Sequence, residues 1–234
     1  MMRRSCLVGV LLLCSSVVSA ADCVVLLHGL ARTAMSMNPM QRALVEAGFE
    51  TANIDYPSRE YRIEELARIA VPEGLEACRA KESVERIHFV THSLGGILLR
   101  QYLSEETIAE LGRVVMLGPP NQGSAAVDEL RDLPGFDWLN GPAGLQLGKG
   151  AESVPLQLGP ATFELGVIAG NQTIDPITSS VLENPDDGRV SVADTRLEGM
   201  ADFVEVDHSH AFMMRMAEPI RLTIRFLKNG TFSE

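Results

Sequence analysis

Ile87-His88-Phe89-Val90-Thr91-His92-Ser93-Leu94-Gly95-Gly96 is the stretch on which the fold prediction rests. Residues 87–90 predict a strand and residues 94–103 predict a helix, so Ser93 lies in the turn between them. A sharp strand-to-helix turn lifts a serine hydroxyl above the edge of a sheet and points the helix N-terminus at it. Gly95 and Gly96 have no side chains, which allows the strand and the helix to approach closely. Ser93 is therefore the candidate nucleophile.

The pattern departs from the usual one at Thr91, two residues before the serine, where a glycine is usual. The predicted packing of strand against helix must therefore accommodate a β-branched side chain at this position.

Outside this stretch the chain alternates β-rich runs with helical patterns, which predicts an α/β fold with a mostly parallel central sheet flanked by helices. Residues 23–27 are continuously apolar, as in a strand buried on both faces. Further strands are predicted at 49–55, 114–117, 165–170 and 203–206. Helices are predicted before Gly48, from Ile63 to a break or kink at Pro72, in a short segment ending near Cys78, and from about Ala211 to Leu227.

Residues 133–160 are rich in glycine and proline and have weak periodicity, which predicts an irregular excursion that forms a lid-like segment or a pocket wall. Its shortness argues against a large lid domain. We therefore expect residues 21–234 to form one α/β domain.

The composition supports a globular chain and excludes some partners. The 234 residues are 46% hydrophobic, and 20 basic against 31 acidic residues give a formal net charge of −11. This excess of acidic residues repels phosphate backbones, so we expect no nucleic-acid partner. The sequence does not predict an oligomeric state.

The first twenty residues have the pattern of a signal peptide. Arg3 and Arg4 precede the apolar run from Cys6 to Val18, and Val18-Ser19-Ala20 ends in the small residues of a cleavage site. The run is too short to span a bilayer. We expect cleavage near Ala20 and a mature protein that is periplasmic or secreted, without a stable membrane anchor.

Cleavage at that point leaves Cys23 and Cys78 as the cysteines of the mature chain. Two cysteines in an oxidising compartment suggest one disulfide. Two unpaired cysteines in the core are the alternative.

In several motifs the chain resembles the serine esterase and lipase group of the α/β-hydrolase superfamily, in particular small exported bacterial lipases. Besides the turn at Ser93 they are Leu26-Leu27-His28-Gly29-Leu30, Leu117-Gly118-Pro119-Pro120-Asn121-Gln122-Gly123-Ser124, Asp187-Gly188-Arg189-Val190 and Ser209-His210-Ala211-Phe212. The resemblance implies hydrolysis of a small-molecule or lipid ester through an acyl-enzyme. It also implies that the backbone N–H groups of Leu30 and Leu94 form the oxyanion hole.

A serine hydroxyl needs an imidazole to accept its proton, and a carboxylate to orient that imidazole. His210 is favoured as the base because it matches the family's position, and His208 is the alternative. Asp187 is favoured as the carboxylate, with Asp186 as the alternative. The order Ser, Asp, His is that of the superfamily.

Other chemistry receives little support from the sequence. No spacing of His, Cys or acidic residues suggests a metal site, and no glycine-rich motif suggests a nucleotide, so we expect no cofactor and no metal. The same catalytic residues suit a thioesterase, an amidase or an acyltransferase. A non-catalytic binding domain with a hydrolase-like fold is the alternative from another class.

Overall fold

A computed structural model of the chain describes residues 21–234, and the predicted signal peptide lies outside the described residues. Six strands form one sheet in which every neighbouring pair is parallel. The strands are β1 (Ala21–Leu27), β2 (Glu50–Ile54), β3 (Val84–His92), β4 (Leu111–Leu117), β5 (Leu165–Gly170) and β6 (Asp202–Val206). Their order is β2-β1-β3-β4-β5-β6. The predicted α/β class and parallel sheet are confirmed.

Nine α-helices connect or follow these strands in the described part of the chain. They are α1 (Asn38–Glu46), α2 (Ile63–Arg79), α3 (Leu94–Glu105), α4 (Ala125–Leu130), α5 (Phe136–Leu145), α6 (Val154–Gln157), α7 (Pro176–Ser179), α8 (Val192–Thr195) and α9 (Ala217–Asn229). Among the described residues, none of these helices is long and apolar enough to cross a membrane.

Both faces of the sheet are covered, which explains the continuous apolar run in β1. Val25 and Leu27 pack into a core with α2 and α3, whereas Val24 and Leu26 pack into a second core with α1 and α9. Successive side chains of a strand point to opposite faces, so a central strand between two helical layers needs an apolar residue at every position.

A disulfide joins Cys23 in β1 to Cys78 in α2, and both cysteines are buried. Their Cα atoms are 5.8 Å apart and 55 positions apart in the chain. A loop of that size corresponds to about 4 kcal/mol of stabilisation in the chain-entropy account of disulfides. Of the two alternatives for the cysteines, the structure contains the disulfide.

The sequence predicts a break or kink at Pro72 and a second short helix after it. The break is wrong, because one helix, α2, runs through Pro72 to Arg79. Proline removes one backbone donor and strains the preceding turn. The helix nevertheless buries Ala70, Val71 and Leu75 on one side, and the disulfide anchors its last turn. At its start, the side chain of Gln146 accepts a hydrogen bond of 2.8 Å from the backbone N–H of Ile63.

The last helix begins later than predicted, at Ala217 instead of about Ala211. Met213–Arg215 form a separate 3-10 turn. Pro219 explains the later start, because proline is tolerated in the first turn of a helix, where no N–H has an intrahelical acceptor.

Residues 133–160 contain α5 and α6 and are therefore less irregular than expected. Gly135 at φ +87° precedes α5, and Gly141 at φ +63° followed by Pro142 interrupts it. Glycine and proline here bound and kink short helices, which is why the sequence shows no helical periodicity.

Candidate active site

Ser93 lies between β3 and α3 in a backbone conformation that non-glycine residues rarely adopt. Its φ is +53° and its ψ is −119°, and its N–H donates to the carbonyl of Leu117 in β4 at 2.9 Å. Such a conformation persists only where the surroundings hold it, and it is often associated with function. Only 8% of Ser93 is exposed, and that part lies in a cavity.

Two glycines of α3 permit the tight turn. A Cβ on Gly95 would lie 2.6 Å from the carbonyl oxygen of Leu27 in β1, so this position excludes any side chain. A Cβ on Gly96 would lie 3.2 Å from the hydroxyl oxygen of Thr91, which is fully buried. The space left by Gly96 thus accommodates the threonine that departs from the usual motif.

His210 and Asp187 form a buried pair at the carboxyl end of the sheet. Nδ1 of His210 lies 2.7 Å from Oδ2 of Asp187, and the N–H of His210 also donates to the carbonyl of Asp187 at 2.9 Å. The other carboxylate oxygen, Oδ1, accepts the N–H groups of Arg189 and Val190 at 2.9 and 2.8 Å. Three donors therefore fix the carboxylate. Because Nδ1 of His210 is one of them, the proton of the neutral imidazole lies on Nδ1, and Nε2 is an acceptor.

The neighbouring alternatives have other partners. Asp186 accepts hydrogen bonds from the Ser179 hydroxyl at 2.6 Å and the Gly188 N–H at 2.7 Å. His208 lies 3.5 Å from Glu218 of α9. The structure therefore pairs Asp187 with His210, while Asp186 and His208 take part in separate contacts.

Leu30 and Leu94 flank Ser93 from different elements. Leu94 is the first residue of α3, where a backbone N–H has no acceptor within the helix. Leu30 lies in the turn after β1, and Gly29 brings this turn against the turn of Ser93, since a Cβ on Gly29 would lie 3.2 Å from the Cβ of Ser93.

His28 holds the turn that carries Leu30. Its ring donates from Nδ1 to the carbonyl of Gly29 at 2.8 Å, accepts the N–H of Tyr56 at Nε2 at 3.3 Å, and stacks on the Tyr56 ring at 3.9 Å. The hydroxyl of Tyr56 donates in turn to the carbonyl of His28. Burial lowers the pKa of His28, so the imidazole is neutral and serves as a structural residue.

His92 was not singled out by the sequence, although it contacts His210. Its Nε2–H donates to the carbonyl of His210 at 3.0 Å, and the two ring centroids are 4.8 Å apart. Burial, and then the positive charge that His210 can carry, lower the pKa of His92 well below its usual range. His92 is thus a neutral positioning residue for the backbone of His210. The alternation of apolar and polar residues in a strand does not predict a contact between His92 and a residue that follows another strand.

Gly118 directly follows β4 and contacts the pair formed by Asp187 and His210. Its φ is +55°, and a Cβ would lie 3.0 Å from both Oδ2 of Asp187 and Nδ1 of His210. The absent side chain makes room for the hydrogen bond between these two residues.

The cavity that contains Ser93 has a volume of about 300 Å³ and is also lined by His92 and His210. Its apolar wall comes from α4, α5 and the residues beside them, and consists of Val127, Leu130, Phe136, Leu139 and Leu147. Part of the excursion at 133–160 therefore lines the same cavity as the candidate nucleophile. Within residues 21–234, no group of three or more His, Cys, Asp or Glu side chains is arranged to hold a metal ion.

A model of the α/β hydrolase family matches residues 24–221, which is most of the chain. The chain belongs to the α/β hydrolase family. This hydrolase also resembles solved structures of lipases and esterases at low sequence identity. No curated protein matches its sequence.

Three of these structures illustrate the likeness. Mature lipase BlEst2 of Bacillus licheniformis superposes with a TM-score of 0.69 at 18% identity, covering 91% of this chain and 93% of the lipase. Phospholipase PlaB of Legionella pneumophila gives 0.71 at 19% identity, covering 89% of this chain and 60% of that one. The metagenomic carboxyl esterase MGS0156 gives 0.64 at 18% identity, covering 82% and 65%. At these identities the likeness concerns the fold.

Proposed function

We propose that this hydrolase cleaves carboxylic esters by a serine mechanism with an acyl-enzyme intermediate. The observation that supports this most strongly is the buried hydrogen bond of 2.7 Å between Asp187 and His210, because His210 lines the same cavity as the strained Ser93. A carboxylate that orients an imidazole beside a serine is the arrangement needed to activate the hydroxyl.

In the proposed reaction, Nε2 of His210 accepts the proton of Ser93 while Oγ attacks the ester carbonyl carbon. The N–H groups of Leu30 and Leu94 stabilise the negative charge that develops on the carbonyl oxygen. His210 then protonates the departing alcohol, which leaves the acyl group on Ser93. His210 then removes a proton from a water molecule, which attacks the acyl carbon. The bond from this carbon to Oγ of Ser93 breaks, His210 returns the proton to Oγ, and the carboxylic acid is released.

The cavity supports a small ester substrate. Its volume of about 300 Å³ is at the lower end of the range for ligand sites, and its wall is largely apolar. We therefore expect short acyl chains to be preferred over long ones. A panel of esters with increasing acyl length, with matched thioesters and amides, tests both the chain length and the leaving group.

The nucleophile is tested by intact-mass analysis after treatment with a fluorophosphonate, which labels activated serines independently of the substrate. We expect one adduct on the parent chain and none on Ser93→Ala. Ser104→Ala is the matched control. Ser104 lies near the end of α3, outside the cavity of Ser93, and its hydroxyl donates to the carbonyl of Gln101, so this variant should keep the label. A folded parent without an adduct would contradict the proposal and favour a binding protein.

Export is the second part of the proposal. It is supported by the pattern of residues 1–20 and by the disulfide between Cys23 and Cys78, since disulfides persist in oxidising compartments. Cell fractionation followed by mass measurement tests it. We expect a periplasmic or secreted chain that begins near Ala21, and a full-length cytosolic chain would contradict this part.

A further inference from the structure

The cavity that contains Ser93 is positively charged in an acidic protein. The whole chain has 31 acidic against 20 basic residues, yet the residues lining this cavity include Arg32 and Arg189 and no aspartate or glutamate. A concave site with one sign of charge attracts ligands of the opposite sign.

Arg32 is the unusual member of this pair. It follows Leu30 by two positions and is half-buried, and its guanidinium donates to the carbonyl of Ala211 at 3.4 Å. Within residues 21–234, no carboxylate lies within ion-pair distance of it. A guanidinium that is partly withdrawn from water gains from pairing with an anion, so the surroundings of Arg32 favour the binding of one.

The charges around Arg32 also favour the binding of an anion. Burial, and then the positive charges of Arg215 and Arg189, lower the pKa of Arg32. Asp187, the acidic residue of the candidate triad, has its oxygens occupied by His210 and two backbone N–H groups. Arg189 lies 3.4 Å from Asp175, so it is partly neutralised, and Arg32 is the stronger candidate to contact a ligand.

The position of Arg32 indicates which half of an ester it meets. Arg32 and Ala31 line the cavity of Ser93 and also a second cavity of about 630 Å³. The wall of the second cavity is mixed, with Arg59, Asp55 and Glu60 beside Pro57 and Trp138. An acyl chain fits the apolar wall formed by α4 and α5, which directs the alcohol half towards Arg32.

We propose that the preferred substrates are esters whose alcohol half carries an anionic group, a carboxylate or a phosphate, and that Arg32 binds this group with support from Arg189. The inference rests on the ester-hydrolase function proposed above. The planar guanidinium suits either group, because it can donate two parallel hydrogen bonds to two oxygens.

Two pairs of water-soluble substrates test the proposal and distinguish the two anions. The first pair is 1-butanoylglycerol and 1-butanoylglycerol 3-phosphate, and the second is 3-butanoyloxypropanamide and 3-butanoyloxypropanoate. Within each pair the acyl chain is the same. We expect the ratio of kcat/KM, anionic over neutral, to exceed about 10 in at least one pair. The pair with the larger ratio identifies the anion.

Arg32→Gln should reduce that ratio by about 10- to 100-fold, the range for a hydrogen bond to a charged group. Arg42→Gln is the matched control, because it removes the same charge from a residue that is exposed on α1 and lines neither cavity. The ratio of kcat/KM for this variant should equal that of the parent. Raising the salt concentration from about 0.02 to about 0.5 M should also reduce the ratio in the parent chain, which provides a test that needs no variant.

Three results would each overturn the inference. The parent could give ratios near or below 1 in both pairs, its ratio could fail to respond to salt, or folded Arg32→Gln could keep the ratio of the parent. A parent chain that labels with fluorophosphonate and hydrolyses the neutral esters without preference overturns the inference alone. A folded chain that neither labels nor hydrolyses any of these esters overturns the proposed function and the inference together.

Discussion

Asp186 and Asp187 are adjacent and buried, and their hydrogen-bond partners give them different roles. Asp187 bonds to the ring of His210, whereas Asp186 holds its own turn through Ser179 and Gly188. A one-residue shift along the turn thus separates a carboxylate that orients an imidazole from one that stabilises a loop.

Asp187→Asn should lower kcat by about 10⁴-fold, the size of the effect when the equivalent aspartate of another serine hydrolase is changed to asparagine. The amide keeps the volume of the side chain but no longer stabilises His210 in the required tautomer or as a cation. Steady-state kinetics on the best ester of the chain-length panel provide the measurement.

Asp186→Asn is the matched control. Its effect should appear mainly in the melting temperature, with kcat reduced by much less than in Asp187→Asn. Equal losses of kcat in the two variants would argue against the assignment of roles.

At this scale the sequence predicts residues whose local pattern is specific. The position between a strand and a helix makes Ser93 the candidate nucleophile, and the resemblance and the chain order favour His210 and Asp187. His92 and Arg32 were not identified, because their contacts with His210 and Ala211 join residues more than 100 positions apart. Such contacts arise from the folded geometry and leave no local pattern.

Among the elements, the end of β4 has the most direct effect on the candidate site. Gly118 is there in a left-handed conformation, directly against the hydrogen bond between Asp187 and His210. A methyl group at this position would meet two polar atoms at 3.0 Å, which is closer than carbon atoms normally approach.

Gly118→Ala should therefore lower kcat by at least tenfold, because the added Cβ displaces the imidazole or the carboxylate. It should also destabilise the fold by about 1–2 kcal/mol through the left-handed backbone. Kinetics and chemical denaturation of the same preparation measure the two effects separately.

Gly48→Ala separates conformational strain from crowding. Gly48 also has a positive φ, +95°, but a Cβ there would have no neighbour within 4 Å. This variant should lose a similar amount of stability and keep its kcat. If Gly118→Ala also kept its kcat, the proposed crowding would be wrong.

The element boundaries show where local patterns stop being informative. All six strands lie within a few residues of their predicted bounds. Burial on both faces explains the apolar runs of the central strands, whereas β2 and β6 are partly exposed strands at the edges. The continuity of α2 through Pro72 was not predicted, since it depends on packing and on the disulfide, both of which act over long distances in the chain.

Across the whole molecule, three histidines are buried in neutral form. His28 directly follows β1, His88 lies within β3 and His92 is the last residue of β3. Burial is the largest cause that lowers the pKa of each. His88 illustrates the neutral state, because its Nδ1 accepts the N–H of Arg113 at 2.7 Å while its Nε2–H donates to Asp22 at 3.1 Å.

These histidines should make the protein less stable as the pH falls from about 7 to about 5. Below the ordinary histidine pKa of about 6.5, the unfolded chain binds protons that the folded chain does not, so the free energy of unfolding decreases. Each such histidine contributes a slope of up to about 1.4 kcal/mol per pH unit. Urea denaturation at several pH values measures the total slope.

His88→Gln should reduce this slope, because one titrating group is removed at a site remote from the cavity of Ser93. Above about pH 8 the stability curves of the variant and the parent should run parallel, since an ordinary histidine is neutral there. A slope that is unchanged between pH 7 and 5 would show that His88 is protonated equally in both states.

The positions of the three candidate catalytic residues along the sheet have a consequence for synthesis. Ser93 follows β3 near the middle of the chain, Asp187 follows β5, and His210 comes after β6, the strand at one edge. The proposed nucleophile is therefore synthesised long before the imidazole that is proposed to activate it. In the proposed mechanism, a chain that lacks the residues after β6 has the nucleophile but no base, so ester cleavage requires the last strand to have joined the sheet.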